Sequence, residues 1–328
     1  MLTRRSFLAA LPPTAVASVF SGPVLADDFP SRPVTMIVPY PAGGPTDAVG
    51  RIVAQGMQAT LGRPVVIENI GGAAANLGTE RVAMAAPDGY TIGLGNSVTH
   101  VVNAAIYSLK YDVVKDFEPI SLLALEPVVI VGRPTLPANN VHELVAWLKE
   151  NSGKSLAGTA GVGSVADVAL YFLEKRFGIS IQHIPYHGLG PAVQAMMSGE
   201  VDLIMSLPGN VLGQAKAGTI KAFAVTSKTR LTGDPDIPTV DEAGLEGFYP
   251  SNCHALFAPK GTPKEIIAKL NAAAVAALAD PQIRERLVAD GQDFFPSDQM
   301  TPDALAAFQQ QEIAQRWPII KAAGIKVE

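Results

Sequence analysis

The 328-residue chain contains a single cysteine, Cys253. No intramolecular disulfide can form, even in an oxidising compartment, and no cluster of thiolates can hold a metal. Long apolar runs are missing too. Past the first 26 residues nothing approaches the roughly 20 apolar residues that a membrane-spanning helix needs. Basic charge is scarce, with 25 Lys and Arg against 30 Asp and Glu and a formal charge of −5. Without Arg4 and Arg5 the balance is 23 against 30, or −7. That argues against nucleic acid or an anionic membrane as partner. Stability must come from packing; a hydrophobic content of 48% supports one large or two medium cores, and the length favours two domains.

What is present begins with Thr3-Arg4-Arg5-Ser6-Phe7-Leu8, the pattern of a twin-arginine export signal. An apolar segment from Phe7 to Phe20 follows, and Ala26 supplies a small residue where cleavage would fall. Pro12 and Pro13 interrupt the apolar segment, so it reads as a signal peptide over residues 1–26 and not as an anchor. The mature protein is expected to be soluble and exported.

The stretch Met36 to Arg51, MIVPYPAGGPTDAVGR, joins an apolar strand, a Pro- and Gly-rich turn and the start of an amphipathic helix. Gly43 and Gly44 allow close backbone approach to a guest, and the unpaired N–H groups of the helix point back at the turn. From Pro39 to Gly50 the one charged side chain is Asp47. An anion there would be held by backbone dipoles and not by a basic side chain.

Strand, glycine turn and helix then repeat, which indicates α/β layering with a mostly parallel sheet. Strands are expected at Val34 to Val38, Val65 to Ile67 and Tyr90 to Leu94, with helices from Val49 to Leu61 and from Leu77 to Ala86. The apolar run Ile120 to Val131 is broken by Glu126-Pro127, a place for the chain to leave one sheet and enter another. The pattern restarts with a helix over Val141 to Lys149, a strand end at Ser155 to Gly158, and a helix led by Gly161-Val162-Gly163-Ser164. Further strands are expected at Ile179 to Tyr186, Val201 to Met205, Ala222 to Thr226 and Ala255 to Pro259. Three closing helices, Pro263 to Ala279, Pro281 to Ala289 and Pro302 to Ala323, should cover the first sheet and make that domain discontinuous: residues 27–125 with 247–328, against 126–246 for the second.

Candidate catalytic patterns are incomplete. Gly161-Val162-Gly163-Ser164-Val165-Ala166 has dinucleotide-fingerprint spacing, but the following strand offers no acid for a ribose. Gly158 to Ser164 lacks the lysine of a phosphate loop. Cys253 and His254 are neighbours on a strand and so point to opposite faces, and Ser164 is not in a G-x-S-x-G elbow. His183 and His187 lie four apart in strand and turn, a spacing that does not bring them together as metal ligands. No catalytic residue, metal or cofactor is implied. An exported hydrolase or lyase using Ser164 or Cys253 beside a histidine is the rival from another class.

Eight ordered segments resemble the Bug (TctC-like) periplasmic solute receptors. They are Phe29-Pro30-Ser31-Arg32-Pro33, Val38 to Asp47, Ala86-Pro87-Asp88-Gly89-Tyr90, Gly158 to Ser164, Ile184-Pro185-Tyr186-His187-Gly188, Gly199 to Leu203, Ile237-Pro238-Thr239-Val240 and Ala258 to Pro263. Together they span essentially the whole mature chain.

The resemblance implies a type II periplasmic-binding-protein fold, two α/β lobes around a ligand cleft with a two-strand hinge. It implies a periplasmic monomer that binds a small organic carboxylate, with the membrane subunits of a tripartite tricarboxylate transporter as partners, or a signalling protein if the chain is a sensor. By motif, the ligand contacts fall at Tyr40, Pro41, Ala42, Gly43 and Gly44, and at Asn96, Ser97 and Thr99, in the first lobe. In the second they fall at Thr159, Ala160, Gly161, Gly163 and Ser164, with Asp167, Tyr186 and Ser206 nearby. The sequence departs from the family pattern at Ile70-Gly71, where Arg-Pro is common, at Asp167, where His is common, and at Cys253-His254, where an aromatic pair is common. Asp167 lies in the first turn of its helix, where it can cap or complement the dipole. Facing the cleft instead, it would repel a second carboxylate and favour a monocarboxylate or amino-carboxylate.

Overall fold

A computed structural model describes residues 29–325, so the expected signal peptide lies outside the described residues. The first lobe opens with β1 (Val34–Val38), α1 (Pro45–Leu61), β2 (Val65–Asn69), α2 (Asn76–Ala83) and β3 (Thr91–Asn96). Pro45 starts α1 at a position where a missing N–H is harmless. Val49, Ile52, Val53, Met57 and Leu61 turn its apolar face inward, and left-handed Gly62 ends it by donating to the Gln58 carbonyl. A π-helical turn at Val98–Val102 runs into the short α3 (Asn103–Ile106), and then comes the long β4 (Phe117–Pro127).

The second lobe comprises β5 (Val129–Gly132), α4 (Val141–Glu150), β6 (Leu156–Thr159), α5 (Val165–Phe177), β7 (Gln182–Pro185), α6 (Leu189–Ser198), β8 (Leu203–Ser206), α7 (Leu212–Lys216) and β9 (Lys221–Val225). The chain returns through β10 (Ser251–Pro259) and ends with α8 (Lys264–Ala279), α9 (Pro281–Ala289), β11 (Asp293–Phe294) and α10 (Pro302–Ala322).

Six strands in the order β11-β4-β10-β3-β1-β2 form one sheet, and five in the order β7-β6-β8-β5-β9 form the other. β2-β1-β3 and β7-β6-β8 are parallel, as strand-turn-helix repeats require. β10 runs antiparallel between β3 and β4, and β5 antiparallel between β8 and β9. Each sheet has its own core, with Met36, Ile37, Ile92, Leu94 and Leu256 in the first and Ile130, Leu144, Leu148, Leu170 and Leu203 in the second.

The chain crosses between the sheets twice, from β4 to β5 and again on entering β10, and one buried hydroxyl ties the crossings together. Thr226 Oγ1 accepts from the Val128 N–H at 2.7 Å and donates to the Pro250 carbonyl at 2.6 Å. The expected break at Glu126-Pro127 therefore coincides with a hinge crossing.

Three elements differ from expectation. The strand expected over Ile179 to Tyr186 shrinks to β7, because Ile179 and Ile181 bury themselves in the core just after the Gly178 helix cap. The strand expected from Ala255 begins at Ser251, where it pairs with Pro127. Of the closing helices α8 and α10 pack on β4 and α9 on α1 and α8, but α10 also reaches α5 of the second lobe, where Ile320 joins Val168 in a small apolar cluster. Among the described residues no single helix is long and apolar enough to cross a membrane.

Candidate functional site

Both glycine turns lie at the carboxyl ends of parallel strands, where open α/β sheets place their ligands. After β1, Gly43 takes a left-handed conformation (φ 82°) and its N–H donates to Asp47 Oδ2 at 2.8 Å. Arg51 Nε reaches the same oxygen at 2.8 Å, and Asn69 Nδ2 reaches Oδ1 at 2.9 Å. Burial alone would raise the Asp47 pKa, but these donors hold it below the usual carboxylate value. After β6, Gly163 is likewise left-handed (φ 75°) and donates to Asp167 Oδ2 at 2.8 Å. Ser164 Oγ caps α5 by accepting from the Asp167 N–H, and His183 Nδ1 lies 2.7 Å from Asp167 Oδ1. The two lobes thus use one device: a left-handed glycine fastened to an aspartate four residues on, in the first turn of a helix.

These turns face a cavity of about 420 Å³ that draws on both lobes and the hinge. The first lobe contributes Tyr40, Pro45, Thr46, Asn96 and Asn103, and the second Ala160, Gly163, Ser164, Val165, Ala166 and Asn210. Glu126 and Asn252 line it from β4 and β10. Ala74 also lines it, from a run of three alanines, Ala73 to Ala75, with φ of 48°, 53° and 73°. Left-handed geometry costs a residue with a Cβ roughly 1–2 kcal/mol, so this wall is strained. Asn103 Nδ2 holds it by donating to the Ala74 carbonyl at 2.8 Å.

Of the residues expected at the site, Tyr40, Asn96, Ala160, Gly163 and Ser164 line the cavity. The Tyr40 hydroxyl lies 2.9 Å from Asn96 Nδ2, and burial pushes its pKa up to about 12. The other expected residues are not in the lining. Pro41, Ala42 and Gly43 are exposed, and Gly44 is the N-cap of α1. Thr99 is fully buried, accepting from the Asn96 N–H, and Ser97 Oγ accepts from the Cys253 N–H. Thr159 accepts through its carbonyl from the Tyr186 N–H, Gly161 takes φ 110°, and Ser206 Oγ donates to the Leu207 carbonyl.

Of the two readings of Asp167, a cap in the first turn of α5 or a ligand-sorting group facing the cleft, its hydrogen bonds favour the first. Its two oxygens are taken by Gly163 and His183, which turn it away from the cavity. Burial would lower the His183 pKa, but the hydrogen bond its ring makes to the Asp167 carboxylate and the nearby Glu174 carboxylate outweigh it and lift it to about 9. Cys253 Sγ meets the His254 carbonyl and not its ring, and burial raises the thiol pKa well above its ordinary value.

Pro45, Thr46, Asn103, Glu126, Asn210 and Asn252 line the cavity without having been expected there. One signal was available for Glu126, an acid that interrupts the apolar run Leu122 to Val131, since such a charge is buried only for a reason. Among the lining residues Glu126 is the single one with a charged side chain.

Residues 49–325 match the family described as tripartite tricarboxylate transporter family receptor. The chain belongs to this family. A relative from Agrobacterium vitis, the UPF0065 protein in the TAR-I ttuE-ttuC' intergenic region, is 41% identical over 298 residues, covering 91% of this chain and 86% of that protein. Among solved structures, the periplasmic binding protein BugD is 39% identical with a TM-score of 0.76, the match covering 91% of the receptor and all of BugD. MatC from Rhodopseudomonas palustris, solved with bound malate, is 37% identical with a TM-score of 0.75, over 89% of the receptor and 100% of MatC. An R. palustris protein solved with adipate is 28% identical with a TM-score of 0.78, over 92% of the receptor and 100% of that chain. The receptor therefore has the periplasmic-binding-protein fold, two α/β lobes around a cleft with a two-strand hinge.

Proposed function

We propose that this receptor captures a small organic carboxylate between its lobes in the periplasm, after export through its twin-arginine signal. It would act as a monomer and present the closed form to the membrane subunits of a tripartite tricarboxylate-type transporter. The observation that carries the reading is the pair of helix N-termini, α1 and α5, opposed across a cavity that holds no Lys or Arg. The malate and adipate bound by two similar proteins support it.

A helix N-terminus favours an anion by about 0.3–1 kcal/mol, up to about 2 when partly buried. Each hydrogen bond to a charged group adds about 1.5–3 kcal/mol. At the upper end of these ranges, two such ends with three N–H donors give about 13 kcal/mol, which leaves roughly −8 kcal/mol, or micromolar affinity, after an association cost of about 5. Contacts made with both lobes at once favour the closed state by their difference between open and closed forms. Ser164 serves as a cap and Cys253 is buried with a raised pKa, which supports binding without turnover.

A thermal-shift screen with short organic acids, amino acids included, tests the reading. At least one acid should raise the midpoint saturably, since a ligand at 100 times its Kd adds about 2.7 kcal/mol. The absence of any shift across the panel would overturn it, as would conversion of an acid to product that stops in Ser164→Ala.

A further inference from the structure

The hinge floor of the cavity carries a polar group that the two helix N-termini do not explain. Glu126 and Asn252 are direct cross-strand partners on β4 and β10 and so project from the same face of the sheet. His254, two residues beyond Asn252, shares that face. Glu126 is 2% exposed and Asn252 3% exposed, yet both line the cavity. Their mutual contacts are long: Asn252 Nδ2 donates to Glu126 Oε2 at 3.4 Å, and His254 Nε2 lies 3.5 Å from that oxygen. Asn252 Oδ1 is buried without a hydrogen-bond partner.

The set is rich in acceptors. A carboxylate offers about four lone-pair positions and an amide oxygen two. No lysine or arginine among the lining residues supplies protons to them. Leaving a buried acceptor unmatched is unfavourable, so the arrangement calls for a guest that brings several donors. A hydroxyl brings one proton and an ammonium three, with a charge that complements the acid. A ligand carboxylate placed here would meet Glu126 as a like charge.

From this geometry we infer that the bound carboxylate also carries an ammonium group, seated on Glu126 and Asn252 at the hinge while its carboxylate faces the N-termini of α1 and α5. The inference rests on the carboxylate-receptor reading above. It makes Glu126 the residue that selects amino-carboxylates over plain acids, and it couples the guest to the two strands about which the lobes turn.

Calorimetric titration of the purified protein with matched ligands tests it: aspartate, malate and succinate; glutamate and glutarate; alanine and propionate. The amino member of at least one set should bind at least tenfold more tightly than its hydroxy or unsubstituted partner. Glu126→Gln should reduce that preference to within about threefold. Asn252→Ala should weaken the amino ligand more than its partner, and it provides a second variant if Glu126→Gln does not fold. The wild-type comparison needs no variant. Should plain or hydroxy acids bind as tightly as amino acids in every set, the ammonium seat is refuted while the receptor reading stands. Should no acid of any kind bind, the receptor reading falls and the seat with it.

Discussion

Asp47 and Asp167 are spent inside their own lobes, where each locks a left-handed glycine and frees the remaining helix N–H groups for a guest. His183 extends the second lock, so this lobe should be sensitive to alkaline pH. Its pKa rises from 6.5 to about 9 on folding. The stabilisation is therefore complete below about pH 6.5 and is lost as pH climbs through about 9. His183→Gln should destabilise the protein by about 2 kcal/mol near pH 6, with the gap from wild type closing above pH 9. Urea denaturation at a series of pH values checks this, and a gap that stays constant with pH would contradict it. Gly163 makes a different demand, because a Cβ there would come within 2.7 Å of Ile106 Cδ1 in the opposite lobe. Gly163→Ala should cost roughly 1–2 kcal/mol from its left-handed backbone alone. It should also weaken ligand binding by holding the lobes apart, which titration of the variant with the best acid would measure.

Elements whose determinants are local were legible in the sequence. Helix α1 is written in the spacing of Val49, Ile52, Val53, Met57 and Leu61 and closed by Gly62, all within one stretch of chain. The capping role open to Asp167 could be read from its place in the first turn of α5, but its partner His183 sits 16 residues away on β7. Glu126 illustrates the limit. The sequence marks it as a break in an apolar run, but its meaning depends on Asn252, 126 residues later, brought opposite by the pairing of β4 with β10. The hinge tie has the same character, since Thr226 meets Val128 from 98 residues away. Thr226→Val should strand the Val128 N–H and the Pro250 carbonyl and destabilise the protein by about 1–3 kcal/mol. Chemical denaturation would measure that loss, and a loss below about 0.5 kcal/mol would deny the hinge a stabilising role for this hydroxyl.

At the scale of the whole molecule, two sheets with separate cores meet at a hinge, and the cavity between them is lined by both lobes. The C-terminal helix α10 crosses the same divide, with Ile320 packed beside Val168 of α5 and the Arg316 guanidinium over the Phe172 ring. Saturating ligand should therefore compact the protein about this hinge, which small-angle scattering would register as a smaller radius of gyration. The central claim is that backbone N–H groups at two opposed helix ends hold a carboxylate with no basic side chain to help. Calorimetry comparing the best-binding acid with its carboxamide, the same skeleton without the charge, tests this most directly. The account predicts micromolar affinity for the acid and at least tenfold weaker binding of the amide. Equal affinities, or tighter binding of the amide, would contradict it.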